Sequence, residues 1–145
     1  MLAHRLVDSL YTETMLLADE ARSYFDIQGC GARDALTPLE RVIFSCESLR
    51  VTTRLMHVIA WLLTQRAIHA GELAPEAMRW GVHRLGAPVV SEPTSLERLP
   101  EDARALAEAS IDLYRRVERL DQGLGEAMPT TSPARFLMSQ IERAF

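Results

Sequence analysis

Residues 37–71 read TPLERVIFSCESLRVTTRLMHVIAWLLTQRAIHAG, and this stretch decides the fold. Thr37 can cap a helix, Pro38 suits the first helical position, and Glu40 can reach back to close a capping box. Nothing then breaks the helix before Gly71, so the stretch predicts one rod of about 33 residues, roughly 50 Å long at 1.5 Å per residue. Leu39, Val42, Cys46, Leu49, Thr53, Met56, Ala60, Leu63, Ala67 and Ala70 step in threes and fours along one side. That side is read as packing on the other long helices of the chain. Phe44, Val51, Leu55, Val58 and Leu62 fall on the far side, also spaced by sevens, fours and threes. A helix apolar on two opposite faces needs two sets of neighbours. The second stripe is covered either by a short helix of the same chain or by a second copy in a symmetric dimer. The dimer is the expectation carried forward, with arginine at Val51 and Val58 expected to give a folded monomer.

Outward from this rod the chain stays helical. A first helix is predicted from about Leu2 to Asp26, with Leu6, Leu10, Leu17 and Ala21 recurring at helical spacing and Gly29 and Gly31 as stops. After a short helix around Pro75 to Leu85, the stretch GAPVVSEPTS (86–95) reads as an irregular loop. Pro100, Glu101 and Asp102 start another helix, expected to end at Gly123 and Gly125. Its Leu99, Ala103, Leu106, Ser110, Leu113, Val117, Leu120 and Leu124 alternate four and three apart, a heptad-like seam. Ser132 and Pro133 open a short terminal helix with Phe136, Leu137, Ile141 and Phe145 on or near one face. The expected fold is all-α: an antiparallel three-helix bundle with a short extra helix, residues 1–128, and an amphipathic helical tail, residues 129–145.

Composition narrows the functional classes. With 145 residues, 48% hydrophobic and 25% charged, the chain has the make-up of one ordinary soluble domain. All sixteen basic residues are arginine, yet the net charge is -4 at pH 7. An acidic protein lacks the broad positive field of a nucleic-acid binder, and the arginines of the central rod point in several directions. The uncharged run Leu55 to Gln65 falls well short of the roughly 20 residues that span a bilayer. Cys30 and Cys46 have no metal-ligand spacing and read as reduced thiols, which points to a cytoplasmic protein.

Site chemistry is sparse. None of His4, His57, His69 and His83 follows a glutamate by three residues, as a ferritin-like metal site requires, and no phosphate-binding glycine loop is present. His57 reads as a structural helix histidine. Neither a catalytic residue nor a cofactor or metal is expected. Two docking elements remain: the strip Glu47, Arg50 and Arg54 on an edge of the central helix, and the tail anchors Phe136, Leu137, Ile141 and Phe145.

Three segments are similar to a known family. They are the run Glu47 to Leu63, ESLRVTTRLMHVIAWLL, the earlier YTETMLLADEAR (11–22), and the later RAIHAGE (66–72). Together they resemble the alphaproteobacterial regulator of CtrA degradation family over roughly residues 9 to 90. The resemblance implies a dimeric three-helix bundle with a mobile C-terminal tail and no catalytic residues. It further implies a non-enzymatic adaptor of the ClpXP protease, which joins a protease primed by a response-regulator partner, tethers cargo and promotes turnover of cell-cycle regulators. A small-molecule sensor and a DNA-associated helical regulator stand as alternatives.

Overall fold

The computed structural model describes residues 2–79, 83–127 and 141 of the 145-residue chain. Its elements are α1 (Leu2–Ser23), a π-helical turn (Tyr24–Gln28), α2 (Cys30–Asp34), α3 (Pro38–His69), a 3-10 turn (Pro75–Arg79), α4 (Pro93–Glu97) and α5 (Glu101–Ala127). No strand occurs among the described residues.

The start of α3 is fixed by the expected capping box. The Glu40 amide donates to Thr37 Oγ1 at 3.3 Å, while the Thr37 amide and hydroxyl donate to Glu40 Oε1 at 3.3 and 2.7 Å. Hydrogen bonds from the Thr37 hydroxyl and amide hold the Glu40 carboxyl below its ordinary pKa of 4.5. Because the folded value is depressed, the cap's contribution is complete at neutral pH and is lost as acid protonates Glu40. At the other end Gly71 adopts φ 78°, a left-handed conformation that L side chains resist, and the Gly71 and Glu72 amides return to the carbonyls of Ile68 and Ala67.

The other expected stops do not stop the chain. Gly29 keeps helical angles, φ -82° and ψ -3°, and its amide reaches the Tyr24 carbonyl at 2.6 Å, a five-residue step that widens the turn. Likewise α5 runs through Gly123 and Gly125 to Ala127. Between α3 and α5, the described part of the helix expected over 75–85 is 3-10 rather than α, at Pro75–Arg79. From Leu85 to Glu92 the backbone forms no helix, and Pro93 then opens α4.

Helix directions follow from which residues meet. Asp8 reaches Arg66 at 3.6 Å and Phe25 meets Phe44 with ring centroids 5.4 Å apart, so α1 runs antiparallel to α3. Glu13 pairs with Arg116, and Tyr24 lies beside Asp102 and Ala103, so α1 is antiparallel to α5 as well. By contrast Arg54 meets Ser110 and Trp61 meets Asp121, so α3 and α5 run in the same direction. The bundle is therefore antiparallel only for α1. Residues 70–100 must travel back along the whole length of α3 before α5 can begin.

The core corrects the reading of α3. Phe44, Val51, Leu55, Val58, Trp61 and Leu62 are buried against Val7, Leu10 and Ala21 of α1 and Ala103, Leu106, Leu113 and Val117 of α5. Val51, Val58 and Leu62 are 0% exposed, whereas Leu49, Met56 and Leu63 on the opposite side are 68%, 62% and 47% exposed. The five residues expected at a dimer interface are thus the interior of the chain, because α1 and α5 both close over that side. The stripe expected to face inward faces out. The α5 seam lies as expected, with Leu99, Ala103, Leu106, Ser110, Leu113 and Val117 all buried.

Candidate functional site

Glu47 and Arg54 are seven residues apart and so share one side of α3, the side that faces the returning segment. Both are removed from solvent, at 0% and 1% exposure. Two unpaired charges so buried would cost several kcal/mol each, so every polar atom there needs a partner. The Arg54 guanidinium supplies most of them. Its Nε donates to the Val89 carbonyl at 3.0 Å, Nη1 to Ser110 Oγ at 3.2 Å, and Nη2 to Ser91 Oγ. The Ser91 hydroxyl donates to Glu47 Oε2 at 2.5 Å, and Arg50 Nη1 closes on Glu47 Oε1 at 2.6 Å. The Ser110 hydroxyl donates its own hydrogen bond to the Ala107 carbonyl at 2.7 Å. Burial pulls Arg54 below the usual guanidinium range, and the Glu47 carboxylate opposes that pull.

Further along, the same segment is pinned twice more. Asp121 of α5 accepts the Trp61 indole N–H at 2.9 Å and the Arg84 guanidinium at 2.8 and 3.1 Å. Hydrogen bonding to Asp121 raises Arg84 above its ordinary value. The Tyr114 hydroxyl donates to the Gly86 carbonyl at 2.6 Å, and burial pushes that phenol up. Residues 84–92 therefore form a strap lying in the groove between the two parallel helices, held by side chains from both.

Gly86 is where the strap comes closest. A Cβ there would lie 2.6–2.8 Å from the His57 ring, at atoms near the root of that side chain which cannot swing away. Nδ1 of His57 is buried and finds no partner among the described residues. Gly86→Ala should lower unfolding stability by about 1–3 kcal/mol through overpacking. Adding His57→Ala should recover most of that loss, and urea unfolding of the single and double variants checks the coupling.

The expected docking strip is thus an internal clamp: Glu47 and Arg54 face the strap, and only Arg50 reaches solvent. Of the expected tail anchors, Ile141 is 56% exposed, while Phe136, Leu137 and Phe145 lie outside the described residues. The residues that sequence reasoning missed are Ser91, Arg84, Trp61, Tyr114 and Asp121. One signal for them was present: Ser110 occupies a core position of the α5 seam, where a hydroxyl needs a polar partner from elsewhere.

The free surface lies on the opposite side of α3. Val42, Cys46, Leu49, Met56, Ala60 and Leu63 are all exposed there. The residues between Val42 and Gln65 that carry a full charge at neutral pH, Glu47, Arg50 and Arg54, sit off this stripe. Some 24 consecutive residues, a rod of about 36 Å, therefore present an outward face without charge. Among the described residues no helix is long and apolar enough to cross a membrane, and no group of three or more His, Cys, Asp or Glu could hold a metal ion.

A family model described as "Protein of unknown function (DUF1465)" matches residues 1–145. Among solved structures, RcdA from Caulobacter crescentus CB15 is similar at 36% identity, over 82% of this chain and 90% of that one, with a TM-score of 0.66. No curated protein matches.

Proposed function

The chain belongs to the RcdA-like family described as DUF1465, and from that membership we propose that it is a non-enzymatic regulator that promotes ClpXP-dependent degradation of regulatory proteins in the cytoplasm. The observation that carries the reading is the 36% identity to RcdA across most of both chains. The uncharged outward face of α3 supports a protein that works by binding other proteins. In the proposed arrangement the bundle, residues 1–128, joins a protease primed by a response-regulator partner. The tail, residues 129–145, offers Phe136, Leu137, Ile141 and Phe145 to a partner's groove. A reconstituted degradation assay with the priming partner tests this. Cargo half-lives should shorten when the protein is added, and unchanged half-lives would remove the adaptor reading.

The proposed occupant of the α3 face is a second copy. Along it Cys46, Thr53, Ala60 and Ala67 alternate with Val42, Leu49, Met56 and Leu63, small with large. Antiparallel pairing about a twofold axis would set Val42 against Ala67, Cys46 against Leu63, Leu49 against Ala60 and Thr53 against Met56 of the second copy. Each large side chain then meets a small one, whereas parallel pairing would stack large on large. Arginine at Leu49 or Met56 should give a folded monomer, since both side chains are more than half exposed in the single chain. Sedimentation decides it: a wild type that is monomeric at tens of micromolar would refute this interface.

A further inference from the structure

We propose that the end of the bundle where α1, α3 and α5 converge is a binding site for a small amphipathic carboxylate. A cavity of about 260 Å³ opens there, walled by Val7, Trp61, Leu120 and Leu124. The Trp61 indole N–H is already taken by Asp121, so the cavity sees only the apolar part of that ring. His69 and Arg119 also line it, and no carboxylate does. Arg119 is exposed and, among the described residues, has no ion-pair partner, whereas Arg33, Arg50, Arg66, Arg84, Arg104 and Arg116 each have one. The site thus combines an apolar pit with an uncommitted guanidinium beside it.

Gly123 is the second observation. It lines the cavity from within α5, and a Cβ built there would meet nothing within 4 Å. Glycine inside a helix costs about 1 kcal/mol relative to alanine, and no contact within the described residues requires its missing side chain. The space it leaves is available to an occupant. An apolar cavity of about 150 Å³ takes benzene, so this one suits a body of about ten carbon atoms. The adjacent guanidinium then selects a carboxylate head over a neutral one, because a planar fork of N–H donors matches both oxygens.

Calorimetric titration of the full chain with 2-naphthoate, and with uncharged 2-naphthalenemethanol as comparator, tests the assignment. Naphthoate should bind one per chain with saturation, and the alcohol about tenfold more weakly, as expected for loss of one charge-assisted contact. Arg119→Gln should bring the two probes to equal affinity. Gly123→Leu, which fills the space, should abolish binding of both, and Leu124→Gln, which makes a wall polar, should weaken both. Circular dichroism confirms that each variant keeps its helix content. The proposal is overturned by absence of saturable binding, or by full affinity in folded Gly123→Leu. Binding that appears only after residues 128–145 are removed would also overturn it, and would assign the cavity to the chain's own tail.

Discussion

Arginine at Val58 should leave the chain unfolded at 25 °C. Val58 is 0% exposed and packed in the core with apolar residues of α1 and α5, so a guanidinium there would be buried among apolar side chains. An uncompensated buried charge together with overpacking costs upward of about 4–5 kcal/mol, comparable to the whole stability of a small domain. Val51→Arg should behave the same way. Arginine at Leu49, two residues from Val51 in sequence but on the outward face, should change melting of the single chain little. Circular dichroism and thermal melting of the set separate an interior stripe from an interface stripe. A cooperatively folded Val58→Arg monomer would overturn the packing described for α3.

Loss of the Arg54 clamp should have the second largest effect. Arg54→Met keeps the stem but leaves the Val89 carbonyl and the Ser110 hydroxyl without a donor, and strands the buried Glu47 carboxylate with only Ser91 and Arg50. Breaking one side of a buried ionic network costs about 3–5 kcal/mol. Removing both charges, Glu47→Leu with Arg54→Met, should restore a substantial part of that loss, since an apolar pair leaves no buried charge unpaired. The effect should also be local. With the clamp gone, the strap should lift, and trypsin should cut after Arg84 many times faster than in the wild type. Equal cleavage rates in the two proteins would show that Arg54 does not hold the strap.

The sequence marked some boundaries clearly and misled at others, for physical reasons that specific residues illustrate. Thr37, Pro38, Glu40 and Gly71 punctuate α3 because each acts through local chemistry, a cap, a fixed φ or a left-handed turn. Gly29, Gly31, Gly123 and Gly125 look like stops in the sequence, yet a glycine penalises a helix by only about 1 kcal/mol, and the surrounding contacts carry the helix through. The two stripes of α3 were interchanged because both have helical spacing, and because the inward side carries Glu47, Arg54 and Gln65, polar residues that sequence alone assigns to water. The burial of Glu47 and Arg54 depends on Ser91 and Ser110, far along the chain. The parallel course of α3 and α5 had one legible sign: some thirty residues separate them, with no long helix between, whereas antiparallel neighbours need only a short turn.

That separation also orders the way the protein assembles. The α1–α3 pair closes across a short connection, so its contacts are expected to form early and locally. For α5 to lie beside α3, about thirty residues must first be drawn into a closed circuit, at an entropic cost that nothing repays until the helices touch. The strap cannot bind before then, because its groove does not exist until both walls are present. Residues 84–92 should therefore be the last part of the described chain to settle and the first to come away. Segments of this kind open at free energies well below that of global unfolding. The polar clamps at Arg54, Asp121 and Tyr114 thus act late: they lock a finished structure and leave the route to it unguided.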